Sequence, residues 1–310
     1  MSQLQVLVTG ATGFVGARLA AALVEEGHDV RAMTRRPQAY DGPGTPVAGD
    51  VARPDTLGPA LAGVDVAYYL IHSLGSARFE AEDAAAARAF GEAAAHAGVR
   101  QIVYLGGLGG EDQALSPHLR SRRDVEGLLG RAGVPVTVLR AAIVVGHGGI
   151  SWEMTRQLIE HLPLLAAPSW AHTLTQPIAL ADVVQYLVGV LDHPRARGRV
   201  FEVGGADVLS YEDMLRRAAV VQSGQDVPVF TVPLLRGRLV TGLVARASSY
   251  VLALLTEVDV ATARNLIASM DTEVVVSDSA IDEVVLLDTL GYEEMVELAL
   301  EERLTAARPA

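Results

Sequence analysis

Three glycines, Gly10, Gly13 and Gly16, stand three residues apart between two apolar stretches of different rhythm. Residues 4–8 have the length and composition of a buried strand, and residues 17–25 carry a helical pattern, so the glycines occupy a strand-to-helix turn. At each of them a Cβ would be in the way. Gly10 permits the sharp reversal, Gly13 admits a pyrophosphate to the backbone, and Gly16 lets the helix lie close on the strand. Amides at the start of such a helix have no carbonyl partners and sit at the positive end of its dipole, which suits an anion. Thr9, Gly10, Thr12, Gly13, Phe14, Val15 and Gly16 are therefore candidate contacts to a dinucleotide. The alternative is a glycine-rich turn that binds nothing.

A second group with chemical potential follows the second strand expected, residues 28–33. Where an acid usually holds the adenosine ribose of NAD, this chain has Thr34, Arg35 and Arg36. A guanidinium fork matches the 2′-phosphate of NADP, so NADP(H) is preferred to NAD(H), unless the two arginines are solvated loop charges. Two histidines also stand at expected strand ends, where α/β folds place their ligands: His72, beside Leu70 and Ile71, and His147. Each is a candidate for proton transfer or an ordinary loop histidine. No H-x-x-x-H spacing links the histidines, so no metal is expected.

The elements needed to position these groups are legible as an alternation. Strands are expected at 28–33, 47–51, 65–73, 101–105 and 136–140. Helices are expected at 55–61, 80–97 (stopped by Gly98) and 117–131. Repeated strand-then-helix units at this spacing imply a parallel sheet with helices on both faces, a Rossmann-type doubly wound α/β fold. Beyond Gly146 the pattern changes. A helix at 151–162 leaves the sheet, 163–177 is irregular, and 227–304 reads as mostly helical with a late strand at 273–276. We expect a nucleotide-binding domain over 1–150 to which 176–204 returns, and a smaller, mostly helical substrate-side lobe from 151–175 and 205–310. Leu108, Trp152 and Trp170 are candidate walls of the substrate pocket, with packing between the lobes as the alternative.

Composition narrows the field. A net charge of −12 with no long basic run argues against nucleic acid or an acidic membrane surface as partner. The absence of cysteine excludes disulfides and a thiolate nucleophile. The first strand begins at once, leaving no room for a targeting segment, and no apolar run is long enough to span a bilayer, so a cytoplasmic location is expected. The nearest approach to a membrane segment, 234–255, is broken by Arg236, Arg238 and Arg246 and reads as an amphipathic helix or helix pair. The expected partner is a small-molecule substrate, with a homodimer left open.

The G-x-x-G-x-x-G spacing after Thr9 resembles the short-chain dehydrogenase/reductase superfamily in its extended and atypical branches. The resemblance implies that Asp50 and Val51 lie beside the adenine, although Asp50 is equally suited to capping the next turn. It also implies that 177–183 begins a returning strand followed by a helix capped by Asp182, and that a Ser210-capped helix follows the strand at 200–203. Most members of the superfamily use a Ser after the fifth strand and a Tyr-x-x-x-Lys on the next helix. This chain has Gly106 and Gly107 at the first place. Counting back from Glu126 puts Arg122 at the Lys position and His118 at the Tyr position, with i, i+4 spacing on one helical face. His118, titrating near neutrality, would move the proton and Arg122 would hold the nicotinamide ribose or the substrate; otherwise both are exposed helix residues.

Loss of Ser and Tyr, the glycines after the fifth strand and the run 69–73 are similar to the atypical group that includes NmrA-like proteins and relatives of the 39-kilodalton accessory subunit of respiratory complex I. The resemblance implies an NADPH-dependent oxidoreductase acting on a C=O, C=N or C=C bond. A non-catalytic NADP(H)-binding sensor or assembly protein is the alternative, and an epimerase or dehydratase is a weaker one.

Overall fold

The structure is a computed structural model that describes residues 3–73, 75–76, 78–110, 115–161, 165–167, 169–227, 229–231 and 260–307. Its centre is a seven-stranded parallel sheet made of β1 (Gln5–Thr9), β2 (Asp29–Thr34), β3 (Thr45–Ala48), β4 (Val66–Tyr69), β5 (Gln101–Gly107), β6 (Val136–Ala141) and β11 (Val200–Val203). The strand order is β11-β6-β5-β4-β1-β2-β3. Chain direction across the sheet reverses between β1 and β4, so the crevice beyond Thr9 and Tyr69 is the topological switch point where such sheets bind ligands.

Burial on both faces explains the unbroken apolar runs. Val6, Leu7 and Val8 are all fully buried, but Val6 and Val8 pack with Leu19 and Leu23 of α1 (Phe14–Glu25), whereas Leu7 faces the opposite layer. The first layer is completed by α6 (Leu180–Gly189), which Tyr68 ties to the sheet by donating its hydroxyl to the Leu187 carbonyl at 2.8 Å. The second layer consists of α2 (Leu57–Leu61), α3 (Phe79–Ala97) and α4 (Pro117–Leu129), which supply Leu57, Phe90 and Leu129 to its core. Helix α3 stops at Gly98, whose φ of +77° is a conformation most side chains resist. Ser116 caps α4 by accepting the Leu119 amide at 3.2 Å.

The rest of the described chain builds a second core beyond the carboxyl edge. Here β7 (Val144–Val145) pairs with β10 (Ile178–Ala179), β8 (Leu165–Ala167) with β13 (Val229–Thr231), and β9 (Leu174–Thr175) with β12 (Leu209–Ser210). Around them lie α5 (Ile150–His161), α7 (Tyr211–Ser223), α8 (Val260–Ser269) and α9 (Tyr292–Ala306). Ser210 caps α7 as expected, and Asp213 returns the hydrogen bond to complete a capping box.

Three expectations are corrected. Helix α6 begins at Leu180 with Ala179 at its cap, and Asp182 in its first turn instead accepts the Leu290 amide at 3.0 Å, tying the helix to the segment before α9. Residues 273–276 form no strand; Val274 makes a single bridge to Thr175, because Gln176 takes the neighbouring Val276 amide through its side chain. The two glycines after the fifth strand belong to it, since β5 extends to Gly107 beside Ala141. The stretch 234–255 lies wholly outside the described residues, within 232–259. No helix among the described residues is long and apolar enough to cross a membrane.

Candidate active site

The β1–α1 turn has the geometry its glycines predicted. Gly10 has φ +65°, and a Cβ there would meet the Leu70 carbonyl oxygen at 3.0 Å. At Gly16 a Cβ would lie 2.2 Å from the Gly10 carbonyl oxygen, a backbone atom with nowhere to go. Gly13 is the cap of α1; no side chain closes that end, and no acid occupies the first turn. The amides therefore face a space that suits a diphosphate. Thr9 takes a different part from the one expected: it is fully buried, and its hydroxyl accepts the Leu70 amide at 2.9 Å, fixing the ends of β1 and β4 together. Thr12 is exposed at the turn, Phe14 and Val15 line the crevice, and Ile71 packs back into the second-layer core.

At the far end of β2, Arg35 and Arg36 are exposed, and the Thr34 hydroxyl accepts the Arg36 amide at 3.2 Å. Asp50 accepts the Ala52 amide at 3.0 Å through one carboxylate oxygen, so it caps its own turn, while Val51 packs against the second-layer core.

The other side of the crevice holds the titratable and charged groups. One cavity of about 390 Å³ runs from Gly10, Gly13 and Gly16, past the β5 end at Gly106 and Gly107, to His72, His118 and Arg122. Sequence separation hides this meeting: His72 follows β4, whereas His118 and Arg122 lie one turn apart on α4. Close packing explains the Gly pair, because a Cβ on Gly107 would stand 2.8 Å from Leu119 of α4, and one on Gly106 3.0 Å from Glu126. Two anchors hold α4 in register. Glu126 and Arg140 of β6 form a buried pair, with contacts of 3.1 and 2.7 Å, and Tyr104 donates its hydroxyl to the Arg122 carbonyl at 3.3 Å. Asp83 of α3 accepts the Ser73 amide at 2.9 Å and the Ser121 hydroxyl at 3.3 Å, joining the His72 loop to the same helix.

The electrostatics overturn one expectation. Burial in the cavity wall, reinforced by the Arg122 guanidinium and then by His72, lowers the His118 pKa to about 3. His118 is therefore a neutral imidazole at neutral pH and does not titrate there. His72 sits at the crevice mouth, desolvated on its protein side and open on the other, and desolvation and Arg122 lower its pKa too.

Beyond these groups the wall is apolar. Leu108 and Trp170 line it as expected, together with Leu119, Met154, Leu158, Tyr211, Met214, Leu266 and Met270. The Trp170 ring meets Tyr211 edge-on, 5.8 Å between centroids. Trp152 does not reach the cavity: it is 1% exposed and packed in the second core. His147 is also withdrawn, its Nδ1 3.2 Å from Glu153, while its neighbours Gly148 and Gly149 line the cavity. The apolar walls of α5, α7 and α8 escaped the sequence reading because their i, i+4 pairs, Met154 with Leu158 and Leu266 with Met270, look the same as core-facing stripes.

Residues 10–194 match the family model described as NAD(P)H-binding. The chain belongs to this NAD(P)H-binding family. The match begins at the first glycine of the turn and includes every strand of the sheet except β1 and β11. A 67-residue stretch is 40% identical to a 3-beta-hydroxysteroid dehydrogenase from Mycolicibacterium neoaurum, but it covers only 21% of this chain and 18% of that protein. A longer match, 30% identical over 66% of this chain and 69% of the relative, is to a (4-alkanoyl-5-oxo-2,5-dihydrofuran-3-yl)methyl phosphate reductase from Streptomyces griseus subsp. griseus. The photosystem II assembly factor Ycf39 of Trieres chinensis is 23% identical over 77% of this chain and 75% of its own length. Among solved structures, the triphenylmethane reductase of Citrobacter sp. complexed with NADP(H) superposes with a TM-score of 0.73 at 19% identity, covering 95% of this chain and 99% of that one. At that identity the likeness establishes the fold.

Proposed function

We propose that this protein is an NADPH-dependent oxidoreductase that reduces an organic acceptor at a polarised C=O, C=N or C=C bond. The observation that carries the reading is that one cavity joins the glycine turn to His72, His118 and Arg122. The turn fits a dinucleotide: backbone comes so close at Gly10 and Gly16 that side chains are excluded, and the end of α1 is left uncapped. In this reading the amides of 12–15 hold the diphosphate and Arg35 and Arg36 hold the 2′-phosphate. When bound, the reduced cofactor supplies the hydride. Residues 1–150 and 176–204 serve as the nucleotide side, and 151–175 and 205–310 as the substrate side.

The chain's own groups do the rest. Arg122, permanently charged, binds the ribose or the reacting end of the acceptor. The neutral His118 imidazole donates an N–H hydrogen bond to the heteroatom on which negative charge develops, and the proton that completes the reduction enters from solvent at the crevice mouth beside His72. The apolar wall keeps water from the reacting atoms. The test is NADPH oxidation followed against a panel of quinones, enones, imines and ketones. Consumption well above the blank, reduced about a hundredfold in His118→Ala, supports the reading. Tight NADPH binding with no acceptor consumed favours a second one, a non-catalytic NADP(H)-binding sensor or assembly protein. That reading is favoured by the Gly106 and Gly107 pair where the superfamily's Ser usually stands, and by the similarity to an assembly factor.

A further inference from the structure

The cavity is divided by polarity. Its cofactor end carries His72, His118 and Arg122, and its far end is made by side chains of α5, α7 and α8 that are almost all hydrocarbon, thioether or aromatic. The hydroxyls of Ser151, Thr155, Tyr211 and Ser269 are the polar side-chain groups among the described lining residues of these helices. Thr155 and Ser269 already donate theirs to carbonyls one helical turn back, Ser151 at 3.0 Å and Asn265 at 2.9 Å. Arg156, next to Thr155 on α5, is withdrawn and neutralised. It is 6% exposed and bonded to Glu153 at 2.9 Å and to Glu160 at 2.5 Å. A sugar or a second diphosphate placed there would lose its water and find, among the described residues, no cation and few free hydrogen-bonding groups to replace it.

We infer that the acceptor is a carbonyl compound with an extended or bulky hydrocarbon body, its carbonyl at His118 and its apolar body in the pocket bounded by Leu158, Trp170, Met214 and Met270. The inference rests on the oxidoreductase reading for the reaction but not for the binding. In the reaction, the carbonyl carbon gains the hydride supplied by NADPH and the oxygen gains a proton, leaving an alcohol and NADP⁺. Three methionines, Met154, Met214 and Met270, and the rings of Trp170 and Tyr211 form a wall that adapts to different hydrocarbon shapes. Specificity then rests on apolar volume, with the carbonyl fixing orientation.

The experiment uses the full chain saturated with NADP⁺, so that no turnover occurs, and titrates methyl ketones from butan-2-one to decan-2-one. Trp170 lines the pocket and Trp152, the other tryptophan, is packed away from it, so intrinsic fluorescence reports the ligand. Affinity should rise about three- to fourfold with each added methylene until the pocket is full. Trp170→Phe should remove most of the signal, and Leu158→Glu should weaken decan-2-one at least tenfold while NADPH affinity is unchanged. If Leu158→Glu loses NADPH binding as well, Met270→Gln replaces it. Equal affinity across the series, or tighter binding of UDP-glucose than of decan-2-one, overturns the inference. A rising series with no NADPH consumed by any ketone would instead sink the oxidoreductase reading and leave the ligand class standing. Turnover of small polar acceptors with a flat series would do the reverse.

Discussion

In the proposed reading His118 takes the place of a tyrosine whose role in the resembled superfamily depends on a nearby lysine, yet here the neighbour is a guanidinium that cannot give up its proton. Burial in the cavity wall, and then the Arg122 guanidinium, keep the imidazole neutral, with its pKa lowered to about 3. Turnover should accordingly show no histidine inflection between pH 5.5 and 8, which a pH profile of kcat would reveal. The same shift affects stability. Unfolded His118 takes up a proton near 6.5 and the folded residue only near 3, so acidification through that window favours the unfolded chain. His118→Gln should lose less Tm than the unmodified protein between pH 6.5 and 4.5, as measured by calorimetry. At the other end of the crevice, Arg35→Ala should cost about tenfold in NADPH affinity and leave NADH affinity unchanged. Equal binding of the two nucleotides by the intact protein would remove the role given to both arginines. Gly16→Ala forces a Cβ onto a backbone oxygen 2.2 Å away, so it should destabilise by roughly 1–3 kcal/mol and weaken nucleotide binding.

Elements carry these residues into place, and helix α4 matters most among them. Its orientation depends on the Glu126–Arg140 pair, with both side chains less than a tenth exposed. Glu126→Gln strips a buried cation of its carboxylate, which should cost about 3 kcal/mol in urea denaturation and shift His118 and Arg122 together. Much of this level is legible in the chain itself. Apolar runs of strand length, Gly98, Ser210 and the glycine turn each carry local signals, and the parallel sheet with helices on both faces follows from their alternation. The departures have physical causes. Asp182 has the chemistry of a helix cap but serves an amide 108 residues away, and Val274 lacks the paired neighbour that would extend its bridge into a strand. No periodicity distinguishes a cavity wall from a core, so beyond Leu108 and Trp170 the apolar end of the cavity follows only from the way α5, α7 and α8 surround one space. The sequence resemblance located His118 and Arg122 on a common face, but nothing local tied His72 to them.

At the scale of the whole molecule, two cores meet along the carboxyl edge of one sheet, and the cavity lies where they meet. A nucleotide bound there touches both, so it should stabilise the fold as a unit. At a hundred times its dissociation constant, NADP⁺ should add about 2.7 kcal/mol to unfolding. That would appear as a single transition moved to higher temperature, whereas an unmoved second transition would mean that the lobes unfold separately. The most direct test of the account is a crystal structure of the protein grown with NADP⁺. Diphosphate density is expected against the amides of the Gly10–Gly16 turn, with the 2′-phosphate beside Arg35 and Arg36 and the nicotinamide facing His118. A nucleotide bound elsewhere, or a nicotinamide turned away from the wall of His72, His118 and Arg122, would contradict it.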